Sequence, residues 1–318
     1  MKLLKKKYIL IILSLIFYTG GFSQSGSGNK EAELFEPGIF STGLNERDMA
    51  ISPDGKEYYY TIIAPRNAFS VILVRKLISG KWSEATVAPF SGVSPDLEPA
   101  FSPDGKKLFF VSARPLTGEG PDKDFNIWYT ERTAAGWSKP KQVGNNINTE
   151  GDEYYPSVAN NGTLYFTANY DNKTVKDEIF KSKLLNGEYQ KPENLGAPIN
   201  SKGYEFNAYI DPGEKFLIYT CYGREDDMGH GDLYISYRKE NGEWQQPKNL
   251  GAAINSASGL DYCPSISPDR KYFYFTSERT KDHKSLNPLS YKAVMDQINT
   301  AGNALGDIYR IELNQVLK

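Results

Sequence analysis

Polar and apolar positions along the chain fall into a unit that recurs five times. In "SPDGKKLFFVS" (102–112), a Ser-Pro-Asp-Gly turn leads into four consecutive apolar residues. Pro presets φ, Asp hydrogen-bonds nearby backbone and Gly takes a positive φ, so the first half reads as a turn. The apolar run has strand length and composition. Close copies stand at 52–61 ("SPDGKEYYYT") and 267–277 ("SPDRKYFYFTS"), looser ones at 160–168 ("NNGTLYFTA") and 211–220 ("DPGEKFLIYT"). Aligned on Gly55, Gly105, Gly162, Gly213 and Arg270, the copies are spaced by 50, 57, 51 and 57 residues.

Each unit predicts four strands. A short one precedes the turn ("EPAFS", "YPSVA", "CPSIS"), and the apolar run is the second. The third is "FSVILVRK" (69–76), "FNIWYTER" (125–132), "DEIFKSKL" (177–184), "GDLYISYR" (231–238) or "GDIYRIEL" (306–313). An Asn-Gly-like turn then opens a fourth strand carrying Trp82, Trp137, Tyr189 or Trp244. Four antiparallel strands repeated at this period predict an all-β, five-bladed β-propeller. The fifth unit stops short of a fourth strand, while "LFEPGIFSTG" (34–43) resembles the fourth-strand end "PKNLGAAINSASG" (247–259). The N-terminal segment is therefore expected to complete the last blade and close the ring, which removes free sheet edges. Six blades is the alternative, if the insertion at 280–305 holds strands. That insertion reads instead as one helix over "LSYKAVMDQINT", with Asn287 as N-cap, Pro288 at its first position and Gly302 as its stop.

Composition changes the picture at the amino end. "MKLLKKKYILIILSLIFYTGGFSQ" has a basic start, an apolar run at 8–18 and a small-residue exit, the pattern of an export signal over 1–24. An uncleaved anchor is the alternative. Cleavage near Ser23 leaves no transmembrane segment, a flexible leader at 25–33 and one propeller domain over 34–318. The remaining 33 basic and 39 acidic residues argue against a nucleic-acid partner. The expected location is the periplasm or the cell exterior.

The repeat resembles the TolB-type propeller repeats of bacterial envelope proteins, on the "SPDGKKLFFVS…FNIWYTER" pattern and its four partners. That resemblance implies the propeller fold and does not select a function. TolB carries an extra N-terminal domain for which this chain has no room, so a role in the Tol system is not implied.

Strand order puts the Pro-Asp-Gly and Asn-Gly turns on one face. The opposite face carries the uneven loops "ARPLTGEGPDKD", "NYDNKTVKD", "CYGREDDMGHGD" and 278–306, and is the expected site. There each blade begins with acids: Glu46 and Asp48, Asp96 and Glu98, Asp152 and Glu153, Glu205, Asp261. Arg114 and Arg279 follow second strands, Arg66 and Arg224 lie two residues later, and Tyr170 takes the place in blade three. Two readings stand: a binding site built from Asp96, Glu98, Arg114, Asp152, Glu153, Tyr170, Arg224, Asp261 and Arg279, or a repeated structural clasp. Any pocket is expected beside blade three. The repeated aromatics are expected to pack between blades rather than to bind glycan. Only His230 and His283 are available, and "GREDDMGHGD" lacks the spacing of a calcium loop, so no metal, cofactor or catalytic triad is expected. Cys221 and Cys263 end up on one face and could form a disulfide. The favoured function is binding of an envelope or extracellular protein, peptide or glycan. The alternative is a glycoside hydrolase using channel-mouth carboxylates.

Overall fold

Five strands sit nearest the axis, one per blade: Glu46–Ile51, Asp96–Phe101, Glu153–Val158, Tyr204–Ile210 and Asp261–Ile266. They belong to a computed structural model describing residues 30–170, 176–280 and 290–317. The expected export signal, residues 25–29 of the leader, and Asn287, Pro288 and His283 lie outside the described residues. Outward from each inner strand, every sheet runs antiparallel in chain order. In blade five the order ends with Glu33–Leu34 beside Asp307–Glu312, in the register Glu33↔Arg310 and Leu34↔Tyr309. The N-terminal strand thus closes the ring as expected, and it takes in Glu33, one residue before the expected domain start. The described part of the insertion carries no further strand. It forms helix α1 (Tyr291–Ile298), whose N-cap is Ser290 rather than Asn287, because the Ser290 side chain accepts from the Ala293 amide.

The second strands are apolar at successive positions because both of their faces are buried. Leu108 and Phe110 pack with Tyr59, Ile72 and Val74 of blade one, while Phe109 and Val111 pack with Leu164 and Phe166 of blade three. Similar cores fill the remaining three gaps, so the protein has five interblade cores around the axis. The fourth-strand aromatics belong to these gaps: Trp82 meets Phe40 edge-on at 4.8 Å, and Trp137 Nε1 donates to Tyr59 Oη at 2.9 Å.

A further regularity carries no glycine signal. Every inner strand has a register shift two residues after its leading acid, and the residue there takes a left-handed conformation: Asp48, Glu98, Tyr155, Asn207 and Cys263, with φ between 49° and 64°. For residues with a side chain this costs roughly 1–2 kcal/mol each. Interblade bonds offset it. The amides of Asp48, Glu98 and Asn207 donate to the hydroxyls of Thr276, Thr61 and Thr167 on the preceding blade, at 3.3, 3.1 and 3.0 Å. Blade two has Val111 at the threonine position, and there the Tyr155 amide donates instead to the Glu98 carboxylate at 2.6 Å.

One turn differs from the alignment. The left-handed turn residue of blade four is Glu214, whose amide donates to the Asp211 carbonyl, and not Gly213.

Candidate functional site

At the end of the axis facing the variable loops, an acid at the first position of four inner strands, and at the second of Tyr204–Ile210, is almost wholly buried: Glu46, Asp96, Glu153, Glu205 and Asp261. Each accepts from the segment that leads into its own strand. Thr42, Ser91, Thr149 and Ser201 donate hydroxyls to the first four, and the Ser256 amide donates to Asp261. Three of the acids face an arginine, at 2.7 Å for Asp96–Arg114, 2.8 Å for Asp261–Arg279 and 3.8 Å for Glu205–Arg224.

The same arginines hold a backbone carbonyl of the loop before their strand: Phe90 for Arg114, Ile199 for Arg224, Ile254 for Arg279. In blade three Tyr170 does this work, its hydroxyl donating to the Ile147 carbonyl at 2.7 Å while its ring packs on Phe180. The apparent exception in blade three is thus the same anchor made with different chemistry. Asp152 is exposed and accepts from the Phe125 amide at 2.8 Å, and Arg66 lies exposed on the turn Pro65–Asn67. Glu46 and Glu153 have no arginine facing them among the described residues. Burial raises their carboxyls, to about 7 and about 8 respectively.

One layer deeper, the five left-handed residues meet around the axis. Arg47 Nε donates to Asp48 at 2.7 Å, its Nη2 to Glu98 at 2.8 Å, and its guanidinium lies 4.8 Å from the Tyr262 ring centre. Asn207 donates to the same Glu98 oxygen at 3.2 Å. Tyr155 crosses the axis, its hydroxyl donating to the Pro264 carbonyl of blade five at 2.9 Å. Burial pushes the Glu98 carboxyl up, against the pull of Arg47. Glu98 is therefore set apart from the other expected site residues and belongs to an axial plug.

The expected disulfide does not form, since both thiols are free and buried. Cys263 points into the axial plug and donates to Asp48, whereas Cys221 packs in the core between blades three and four and donates to Glu205 at 3.2 Å. Burial pushes the Cys221 thiol up to about 12 and raises that of Cys263 well above its ordinary 9, so neither carries thiolate at neutral pH.

Past the plug the axis widens into a blind funnel of about 640 Å³ that opens among the Pro-Asp-Gly turns. Pro99, Pro156 and Pro264 line it; the innermost strand is a sheet edge, where a missing N–H costs no ladder bond. Uniform turn lengths gave no sign of this cavity. The loop face, by contrast, is marked by exposed apolar groups. Thirteen large apolar side chains are exposed among the described residues, and ten lie on this face: Leu44, Phe69, Val93, Tyr204, Tyr222, Met228, Tyr291, Met295, Ile298 and Leu305. Tyr291, Met295 and Ile298 form one stripe of α1. Its C-terminal end is pinned by close approach of the Asn299 backbone to Gly43, where a Cβ would sit 2.4 Å from Asn299.

No family model matches the chain, and no curated protein matches it. Among solved structures it is similar to TolB from Acinetobacter baumannii, at 15% identity and a TM-score of 0.46 over 84% of this chain and 54% of that one. This chain thus spans about half the length of the Acinetobacter protein. A TolB structure from Agrobacterium tumefaciens is similar at 13% identity and a TM-score of 0.48, over 85% of this chain and 90% of that one. The catalytic domain of a GH62 α-L-arabinofuranosidase from Coprinopsis cinerea reaches 10% identity and a TM-score of 0.48, over 89% and 97%. At identities this low the likenesses bear on the propeller alone and say nothing of activity.

Proposed function

We propose that the protein is an exported binding propeller that docks a partner protein on its loop-bearing face. The observation that carries this is the gathering of ten of the thirteen exposed large apolar side chains on that face. Tyr204 and Tyr222, with ring centres 6.4 Å apart, and Met228 are exposed on blade four, and aromatic and methionine side chains are favoured anchors of protein interfaces. The basic and apolar residues of the first 24 positions support export. A hydrolytic use of the mouth carboxylates is disfavoured by their burial and by the hydrogen bonds each already accepts. Those acids and their arginines serve in this reading as the frame that holds the loops in place.

The test is retention of partners from envelope and culture-supernatant extracts on the immobilised protein, quantified by mass spectrometry. Phe69→Ser with Tyr222→Ser should lose a set of polypeptides that the native protein keeps. Ile78→Ser with Leu185→Ser, on the turn face, should keep them. Equal retention by native protein and the loop-face variant, or loss with the turn-face variant alone, would overturn the proposal.

A further inference from the structure

The funnel on the turn face is a site of a different kind, independent of the docking face. Its closed end is sealed by Tyr155 and Glu98, whose polar atoms are engaged within the plug. Its walls mix prolines, Phe101, Val158 and Ile266 with the hydroxyls of Ser157 and Ser265, so a bound group meets apolar surface broken by a few polar atoms. The volume, about 640 Å³, is that of a small-molecule pocket.

Apart from Glu98, which Arg47 holds within the plug, the charged groups of the lining stand at the mouth, and their balance is uneven. Asp211 is buried and accepts three bonds, from the Gly213 and Lys215 amides and from Arg270 Nη1 at 2.8 Å. Its charge is spent inside the turn. The Arg270 side chain remains 47% exposed, and Lys215 is exposed beside it with no ion pair among the described residues. The mouth is therefore net positive above an apolar well. The residue types at this turn point the same way. Blades one to three place Gly55, Gly105 and Gly162 at the left-handed position, whereas blade five holds Arg270 there at φ 56°. A long cationic side chain thus occupies a position that favours glycine, and it stands at the funnel entrance.

We propose that the funnel binds a small carboxylic acid with an apolar tail or ring, the apolar part entering the well and the carboxylate meeting Arg270 and Lys215 at the rim. Guanidinium and carboxylate match in geometry and charge, and Arg270 keeps Nε and Nη2 for that contact after its bond to Asp211.

Octanoate is a suitable probe, with octanol as its uncharged counterpart, in isothermal titration against the purified protein. Arg270→Gly restores the residue type of the turns in blades one to three, so the variant should fold; Lys215→Ala is a second variant on an exposed side chain. The expected result is saturable octanoate binding that is about tenfold or more weaker in Arg270→Gly, weakened in Lys215→Ala, and about tenfold or more weaker for octanol on the native protein. If Arg270 is only a clasp to blade four, Arg270→Gly shifts the unfolding midpoint while octanoate binding is absent or unchanged, and the proposal falls. It falls equally if octanol binds as tightly as octanoate, or if both variants bind octanoate like the native protein.

Discussion

Glu153 offers a direct check on the account of the buried acids. Its carboxyl is almost wholly buried, accepts from the amide and hydroxyl of Thr149 and faces no arginine among the described residues; burial raises it to about 8 from an ordinary 4.5. A carboxyl raised on folding is held in its neutral form. Its stabilising contribution is complete below the unfolded value near 4.5 and is lost as pH climbs through 8. Within that window the folded state binds more protons than the unfolded, so stability falls by about 1.4 kcal/mol per pH unit for this one group. The whole window is worth on the order of 5 kcal/mol at most. Glu153→Gln keeps an oxygen for the Thr149 amide and cannot ionise. Urea unfolding followed at pH 4, 5.5 and 7 should show native and variant nearly equal at the lowest pH, with the variant pulling ahead as pH rises and unchanged m-values. Parallel curves, or a variant weaker by the same amount at every pH, would refute the assignment of a buried neutral carboxyl.

Two further outcomes follow from the same framework. Arg114→Ala or Arg279→Ala leaves Asp96 or Asp261 buried without its counter-charge and should cost about 3–5 kcal/mol in denaturant unfolding; a loss under 1 kcal/mol would mean that the carboxylates are held by their loops alone. The two cysteines should both react with a thiol reagent in urea and hardly at all in the folded protein, and a reductant should leave the unfolding midpoint where it was.

Much of the architecture was legible because a blade's needs are local. The Pro-Asp-Gly turns and the second strands announce themselves, since a strand buried on both faces must be apolar at consecutive positions, as in 108–111. The closing strand was legible from the likeness of 34–43 to a fourth strand. The axial plug was not, because its left-handed residues are Asp, Glu, Tyr, Asn and Cys rather than glycine, and strain of this kind is set by neighbouring blades. The one available signal was the proline that follows three of them: Pro99, Pro156 and Pro264. In blade four the adjacent Gly213 drew the alignment away from Glu214, since either residue satisfies a turn pattern read in isolation. The expected site residues other than Glu98 lie at the loop end of the axis, but composition could not tell an acid that awaits a ligand from one that already holds a loop. Repetition was the better guide, for an acid present in every blade serves what every blade has in common.

The seam at blade five also decides how the molecule responds to force. The inner three strands of each blade are joined over four to seven residue pairs, six of them between Asp307–Glu312 and Tyr272–Ser277. The ring itself is fastened by two, Glu33↔Arg310 and Leu34↔Tyr309, backed by the exposed pair Lys30–Glu312 and by the mutual bonds of Ser41 and Ile308. A load applied at residue 30 would fall on that short fastening before any other sheet contact. The circle would open there into a crescent of four complete blades and one three-stranded blade, and the plug residues contributed by blades one and five would part along the same line.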